Sequence, residues 1–232
     1  VVRTGENGTE TQAFEPLSFT YRPLANRVDA TDDILPLSRY RIDSITSETG
    51  AITTVTLAPA DCVRGSDMPA AEDDNDKNCF PQYWHINGAQ DAAIDWFHRY
   101  PVLGVLTTDP TGLGEGVEHS YSYADPGWHY NDDPFTPEDE RTWSSFRGFG
   151  RVTEITGAVG TTRSRTVTLF MQGMNGDKRK GTSATRTATV EGIDFTGLDV
   201  ADVTDSDQYS GFAREQITYN GSTPVGVTVN DP

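Results

Sequence analysis

The 232-residue chain reads as an all-β protein, its antiparallel hairpins forming a curled sheet or a sandwich. Three observations predict this: thirty threonines, many alternating with Val, Ile or aromatic residues; a near absence of helical periodicity; and a hairpin pattern that returns along the chain. β-Branched side chains are stiff at χ1 and fit a pleated surface, so this composition favours strands.

The clearest hairpin has Tyr40 to Thr46 and Ala51 to Leu57 alternating on either side of the turn Ser47-Glu48-Thr49-Gly50. Alternation flanking a glycine-bearing turn is the hairpin signature. The pattern recurs from Phe149 to Thr156, over a turn from Gly157 to Thr162, with a return strand from Arg163 to Phe170. Fainter copies begin at Tyr100, with its return from Val117 to Tyr123, and at Phe212, with its return from Val225 to Val229 after Asn220-Gly221. Irregularly spaced hairpins of this kind can pair side by side into one long sheet.

Between the hairpins lie segments without period. Arg64 to Gln82 is acidic and expected to be solvated and mobile, since Glu72-Asp73-Asp74-Asn75-Asp76 is too charged to bury. Pro126 to Pro137 reads as a turn-rich loop holding Trp128, His129, Tyr130 and Phe135, and the stretches Asn175 to Ser183 and Asp199 to Asp207 read as loops. One short helix is expected over 137–146: Thr136 stands as N-cap, Pro137 at the first helical position, and Glu138, Asp139 and Glu140 in the first turn. The whole is read as a single module, with residues 84–90 as the one candidate subdivision. Opening on Val1 and ending at Pro232, it has the look of a segment excised from a larger protein.

Composition excludes some partners. With 35% apolar residues and 22 glycines the chain approaches the globular norm and can bury a core. Its net charge of -17 repels phosphate backbones and anionic lipid heads, so neither nucleic acid nor membrane insertion is expected. No stretch approaches the run of about 18 apolar residues that a membrane helix needs. Cys62 and Cys79 bracket a polar stretch and belong to no CxxC, which favours a loop-closing disulfide and hence a secreted or cell-surface setting; two unrelated thiols are the alternative.

Several motifs carry a resemblance. Tyr121-Ser122-Tyr123, Trp128-His129-Tyr130-Asn131-Asp132-Asp133, Arg141-Thr142-Trp143-Ser144, Arg147-Gly148-Phe149-Gly150-Arg151-Val152 and Gly173-Met174-Asn175-Gly176-Asp177 resemble a stretch of large actinobacterial RHS or YD-repeat proteins. So do Asn26 to Asp29, Asp95 to Tyr100 and Ile217 to Gly221; together these span roughly residues 14 to 232. The Phe146-to-Val152 core is also similar to part of the B subunit of insecticidal Tc toxins. The resemblance implies the non-repetitive region that precedes the repeats of a secreted polymorphic toxin, whose strands wind into a hollow shell. The partner it implies is the rest of the parent chain. No run of YD repeats is present.

Candidate chemistry is sparse. The four histidines, His85, His98, His119 and His129, form no HExxH and no i, i+4 pair. His129 with Asp132 and Asp133 reads either as a metal or proton-transfer site or as turn-capping carboxylates with Arg147 paired to one of them. Asp74-Asn75-Asp76 begins like an EF-hand, but Cys79 stands where the turn glycine belongs and His85 where the bidentate Glu belongs; no cofactor is expected beyond a weak calcium site on Asp74 and Asp76. Asp109-Pro110-Thr111-Gly112-Leu113 echoes the DPxGL autoproteolysis point of the resembling shell proteins, and is also simply a good turn. There is no Gly-x-Ser-x-Gly elbow and no phosphate-binding loop.

All four tryptophans, Trp84, Trp96, Trp128 and Trp143, fall in an aromatic-rich stretch between residues 83 and 149. Exposed on one sheet face, they would form a stacking platform for sugars; buried, they are the core. The expected function is therefore a non-catalytic structural or scaffold module, with a carbohydrate or cell-envelope binding module as alternative and a hydrolase built on His129 as the remote third.

Overall fold

The computed structural model describes residues 2–29, 31–158, 160–193 and 199–232. A small hairpin of β1 (Thr4–Glu6) and β2 (Thr11–Ala13) comes first. The main sheet begins with β3 (Ser18–Leu24), β4 (Arg39–Thr46) and β5 (Ile52–Leu57). The chain then leaves it for the hairpin β6 (Cys79–Trp84) and β7 (Ala93–His98). It returns as β8 (Val102–Thr108), β9 (Val117–His129), β10 (Ser145–Ala158) and β11 (Ser164–Phe170). A second excursion carries the two-residue strands β12 (Thr189–Val190) and β13 (Val203–Thr204), after which β14 (Ala213–Asn220) and β15 (Thr223–Val229) complete the sheet.

The nine strands of the main sheet lie side by side in chain order, from β3 at one edge to β15 at the other, and every pairing is antiparallel. All four hairpins expected from the alternation are among these pairs: β4 with β5, β8 with β9, β10 with β11 and β14 with β15. The turn joining β10 to β11 includes residue 159, which lies outside the described residues.

Two expectations are corrected. In place of a helix over 137–146 there is one 3-10 turn, Glu138–Glu140, and Arg141 is already extended. Tertiary bonds override the capping signal: the Thr142 hydroxyl donates to the Pro81 carbonyl at 2.7 Å, and the Trp143 indole donates to the Lys178 carbonyl at 3.0 Å. The expected loop from Pro126 begins as strand, because β9 continues through Trp128 and His129 to pair with Phe146 and Ser145.

Each of the two excursions covers part of one face of the sheet. On one face, rings run in continuous contact from Trp84 through Phe97 and Phe80 to Trp128, and on through Phe146 and Phe149 to Tyr123, with centroid spacings of 4.4 to 6.1 Å. Arg99 lies inside this row, its guanidinium 3.6 Å from the Phe146 centroid. Such aromatic pairs add to simple area burial, and the cation over a ring face adds more. On the other face Val167, Leu169 and Ile217 are buried where the second excursion crosses, anchored by the Ile193 N–H donating to Glu215 at 2.9 Å.

The first excursion is tied down at several points. The Cys62–Cys79 disulfide forms, with Cα atoms 6.3 Å apart. Arg27, almost fully buried, pairs with Asp32 and Asp95, and Trp84 donates to the same Asp95 carboxylate. The stretch expected to be solvated acid is docked in part: Glu72 meets Lys180 at 2.6 Å and Asp73 meets Arg179 at 3.6 Å, because the second excursion brings a basic segment across it. The 84–90 stretch is the connection between the paired strands β6 and β7.

Glycines stand at close approaches, Gly150 and Gly173 among them. At Gly150, opposite the irregular pairing of β9 and β10, a Cβ would stand 3.1 Å from the Cβ of Asp125. At Gly173, with φ +71, it would stand 2.9 Å from the backbone of Asp207. Beside it, the buried Asp205 carboxylate accepts the N–H groups of Gln172, Gly173 and Met174 at 2.8 to 2.9 Å. This satisfies three donors of a turn that has no strand to satisfy them.

Candidate functional site

The residues singled out in the sequence are dispersed. His129 faces away from Asp132 and Asp133: its Nδ1 lies 2.7 Å from the Tyr130 carbonyl and its Nε2 3.5 Å from the Asp177 carboxylate. Asp133 accepts the Phe135 N–H at 3.0 Å and the Thr136 hydroxyl at 3.3 Å, which is the work of a turn cap. Arg147 pairs with Asp207 at 3.0 Å rather than with either neighbour, since the second excursion passes closer to it.

Asp74 and Asp76 are both exposed, and Asn75 between them is occupied with the backbone of Lys77 and Cys79. Among the described residues no group of three or more His, Cys, Asp or Glu side chains gathers as a metal-ion site. The Asp109 carboxylate closes its own turn, accepting the Thr111 hydroxyl at 2.7 Å, the Thr111 N–H at 2.9 Å and the Gly114 N–H at 3.2 Å. These bonds hold it below the usual carboxylate range.

The tryptophans divide. Trp128 and Trp143 are buried in the core, their indoles donating to the carbonyls of Lys77 and Lys178, so neither offers a ring face to a ligand. Trp84 is half-buried against Phe97 and Arg27. Trp96, also half-buried, lines a shallow hollow with Met68, Pro69 and Ile94, whose polar rim is already engaged: Glu72 with Lys180, Arg64 with Asp29.

A better-formed cleft lies where the aromatic row emerges from beneath the first excursion. It encloses about 420 Å³ between the sheet face of β8, β9 and β10 and the loop that carries Asp76 and Asn78. Tyr121 and Tyr123 stand two residues apart on β9 and therefore share a face; their rings are 6.4 Å apart and within 17° of parallel. Tyr123 in turn packs on Phe149 at 4.4 Å. Both phenols are held: Tyr123 donates to the Val102 carbonyl at 2.6 Å, and Tyr121 to Glu154 at 3.3 Å.

Burial pushes both phenols above their ordinary value, with Glu154 adding to the effect at Tyr121. Glu154 also meets His119 at 2.9 Å and Thr156 at 3.4 Å, forming a polar cluster beside the rings. The opposite wall is fixed by the Asp61 carboxylate, which accepts the Asn78 N–H at 3.0 Å and its side-chain amide at 3.1 Å, and by the disulfide at the next residue. The mouth carries the carboxylates of Asp76 and Asp125, both exposed, and neither is hydrogen-bonded by its side chain among the described residues. Asp125 holds a left-handed backbone at φ 58 next to the break in the β9–β10 register, with its Cβ against Gly150.

The aromatic crowding legible in the sequence contains these tyrosines, but the sequence pointed to the larger tryptophans. Only the period-two placement on β9, together with knowledge of what covers the sheet, separates Tyr121 and Tyr123 from the core. No helix among the described residues is long and apolar enough to cross a membrane. Compared with protein-family models, with curated proteins and with solved structures, the chain finds no match.

Proposed function

We propose that the chain is a non-catalytic structural module, a length of β-sheet wall in a larger secreted protein of the RHS or YD-repeat kind. One observation carries this reading: nine antiparallel strands follow one another across the sheet in chain order. A meander of this sort grows by adding hairpins at its edges, and each added hairpin needs only its predecessor to pair with.

Both edges suit such growth. Among the described residues β3 pairs only with β4 and β15 only with β14, which leaves one side of each strand with backbone donors and acceptors to be satisfied. Pro23 and Pro224 each withhold a single N–H. Around β3 the surface is apolar: Phe19, Tyr21, Tyr40 and Ile42 are all exposed. A contiguous apolar area at a sheet edge is where a neighbouring element packs. The disulfide fits an oxidising, extracellular setting.

Amide hydrogen exchange tests the reading by comparing the 232-residue chain with the full-length polypeptide that carries it. The amides of Ser18–Leu24 and Thr223–Val229 are expected to exchange quickly in the isolated chain and to gain protection in the longer one. Equal exchange in both would remove the wall reading.

A further inference from the structure

We propose that the cleft bounded by Tyr121, Tyr123, Phe149 and Leu103, with Asp76 and Asp125 at its mouth, binds a neutral pyranose sugar. The inference is independent of the wall reading, because it rests on the cleft alone.

The ligand class follows from the chemistry of the lining. Tyr121 and Tyr123, stacked on each other and, through Tyr123, on Phe149, line the cleft with apolar ring surface against which the C–H groups of a pyranose can pack. The free carboxylates of Asp76 and Asp125 are acceptors only, so they suit a ligand whose rim donates several hydrogen bonds, as adjacent hydroxyls do. At about 420 Å³ the cleft is of small-ligand size, mostly apolar with few polar groups. Its walls are set in advance by the Tyr123 bond to Val102 and the Asp61 clamp on Asn78, which lowers the ordering cost of binding.

The same lining argues against charged ligands. Among the described residues no Lys, Arg or His lines the cleft, and Arg99 is already engaged with the rings of Phe146 and Phe149, so an anionic sugar or a phosphate meets two exposed carboxylates with no free cation in the lining. A cationic ligand would gain from the carboxylates. It would also meet the Arg99 guanidinium, 5.1 Å from the Phe149 centroid on the buried side of the ring stack. The Trp96 hollow offers a larger ring, but the carboxylate in its lining, Glu72, is already paired with Lys180.

The test is a glycan array carrying neutral, amino and acidic sugars, probed with the labelled chain and then by calorimetric titration of the best soluble oligosaccharide. Neutral hexose or N-acetylhexosamine glycans are expected to bind. Tyr121→Ala and Asp125→Ala should each weaken binding tenfold or more, whereas Tyr121→Phe, which keeps the ring, and Trp96→Ala should leave it within about twofold. Thermal melts of each variant separate a lost site from a lost fold. The proposal is overturned by no glycan bound, by binding confined to acidic glycans, or by neutral-glycan binding that survives Tyr121→Ala and Asp125→Ala. Loss on Trp96→Ala alone would move the site to the other hollow and overturn it equally.

Discussion

The indole of Trp128 donates a hydrogen bond to the carbonyl of Lys77 at 2.9 Å, joining a strand of the main sheet to a loop 51 residues earlier. Trp128 is also the middle of the aromatic row, between Phe80 and Phe146. Trp128→Ala is therefore expected to cost about 4 kcal/mol, the loss of a buried aromatic together with the cavity it leaves. Trp128→Phe, which keeps a ring and forfeits the bond, should cost about 1 to 2 kcal/mol. Chemical denaturation of both variants checks the difference, and equal small losses would place the ring outside the core.

The disulfide closes the loop whose end forms one wall of the cleft. Cys62→Ala with Cys79→Ala should lower stability by about 3 kcal/mol through the added freedom of the unfolded chain. Thermal melts of the double variant measure it. An unchanged melt would mean that the Asp61 clamp and the Trp128 bond hold the loop unaided.

Asp32 gives the fold an acid-sensitive point. Arg27, hydrogen-bonded to its carboxylate, holds it down at about 2 in the folded protein, against about 3.9 for a free aspartate. The unfolded chain takes up the proton more readily, so the contribution is complete above about pH 4 and is lost as pH falls toward 2. Asp32→Asn should flatten the stability profile between pH 4 and 2 while lowering the plateau above it. A profile that keeps its slope would assign the acid sensitivity elsewhere.

Asp109 is engaged in its own turn, with its carboxylate bonded to Thr111 and Gly114. Cleavage of this segment would call for carboxylates held against the scissile bond as general acid and base. Prolonged incubation followed by intact mass measurement is expected to return a single full-length species. Fragments meeting at Leu113 would make the DPxGL segment an autoproteolytic site after all.

The sheet was legible because its signal is local. Alternation around Gly50 or across Asn220-Gly221 depends on residues a few positions apart, and both hairpins form as read. What was misread depended on distant partners. Thr136-Pro137-Glu138 has the local chemistry of a helix start, but the helix would forfeit the bonds of Thr142 to Pro81 and of Trp143 to Lys178. The acidic run looked solvated because Lys180 and Arg179, which meet it, lie over 100 residues away. The cleft was hidden for the same reason: its tyrosines come from one strand and its acidic mouth from a loop 45 or more residues earlier and from Asp125 at the register break.

The most direct test of the wall reading is a density map of the full-length polypeptide by electron cryomicroscopy. It is predicted to show a further strand hydrogen-bonded along Ser18–Leu24 or Thr223–Val229, with the nine strands continuing into a larger sheet. A map in which both edges face solvent, and residues 1–232 stand apart as a separate domain, would contradict it.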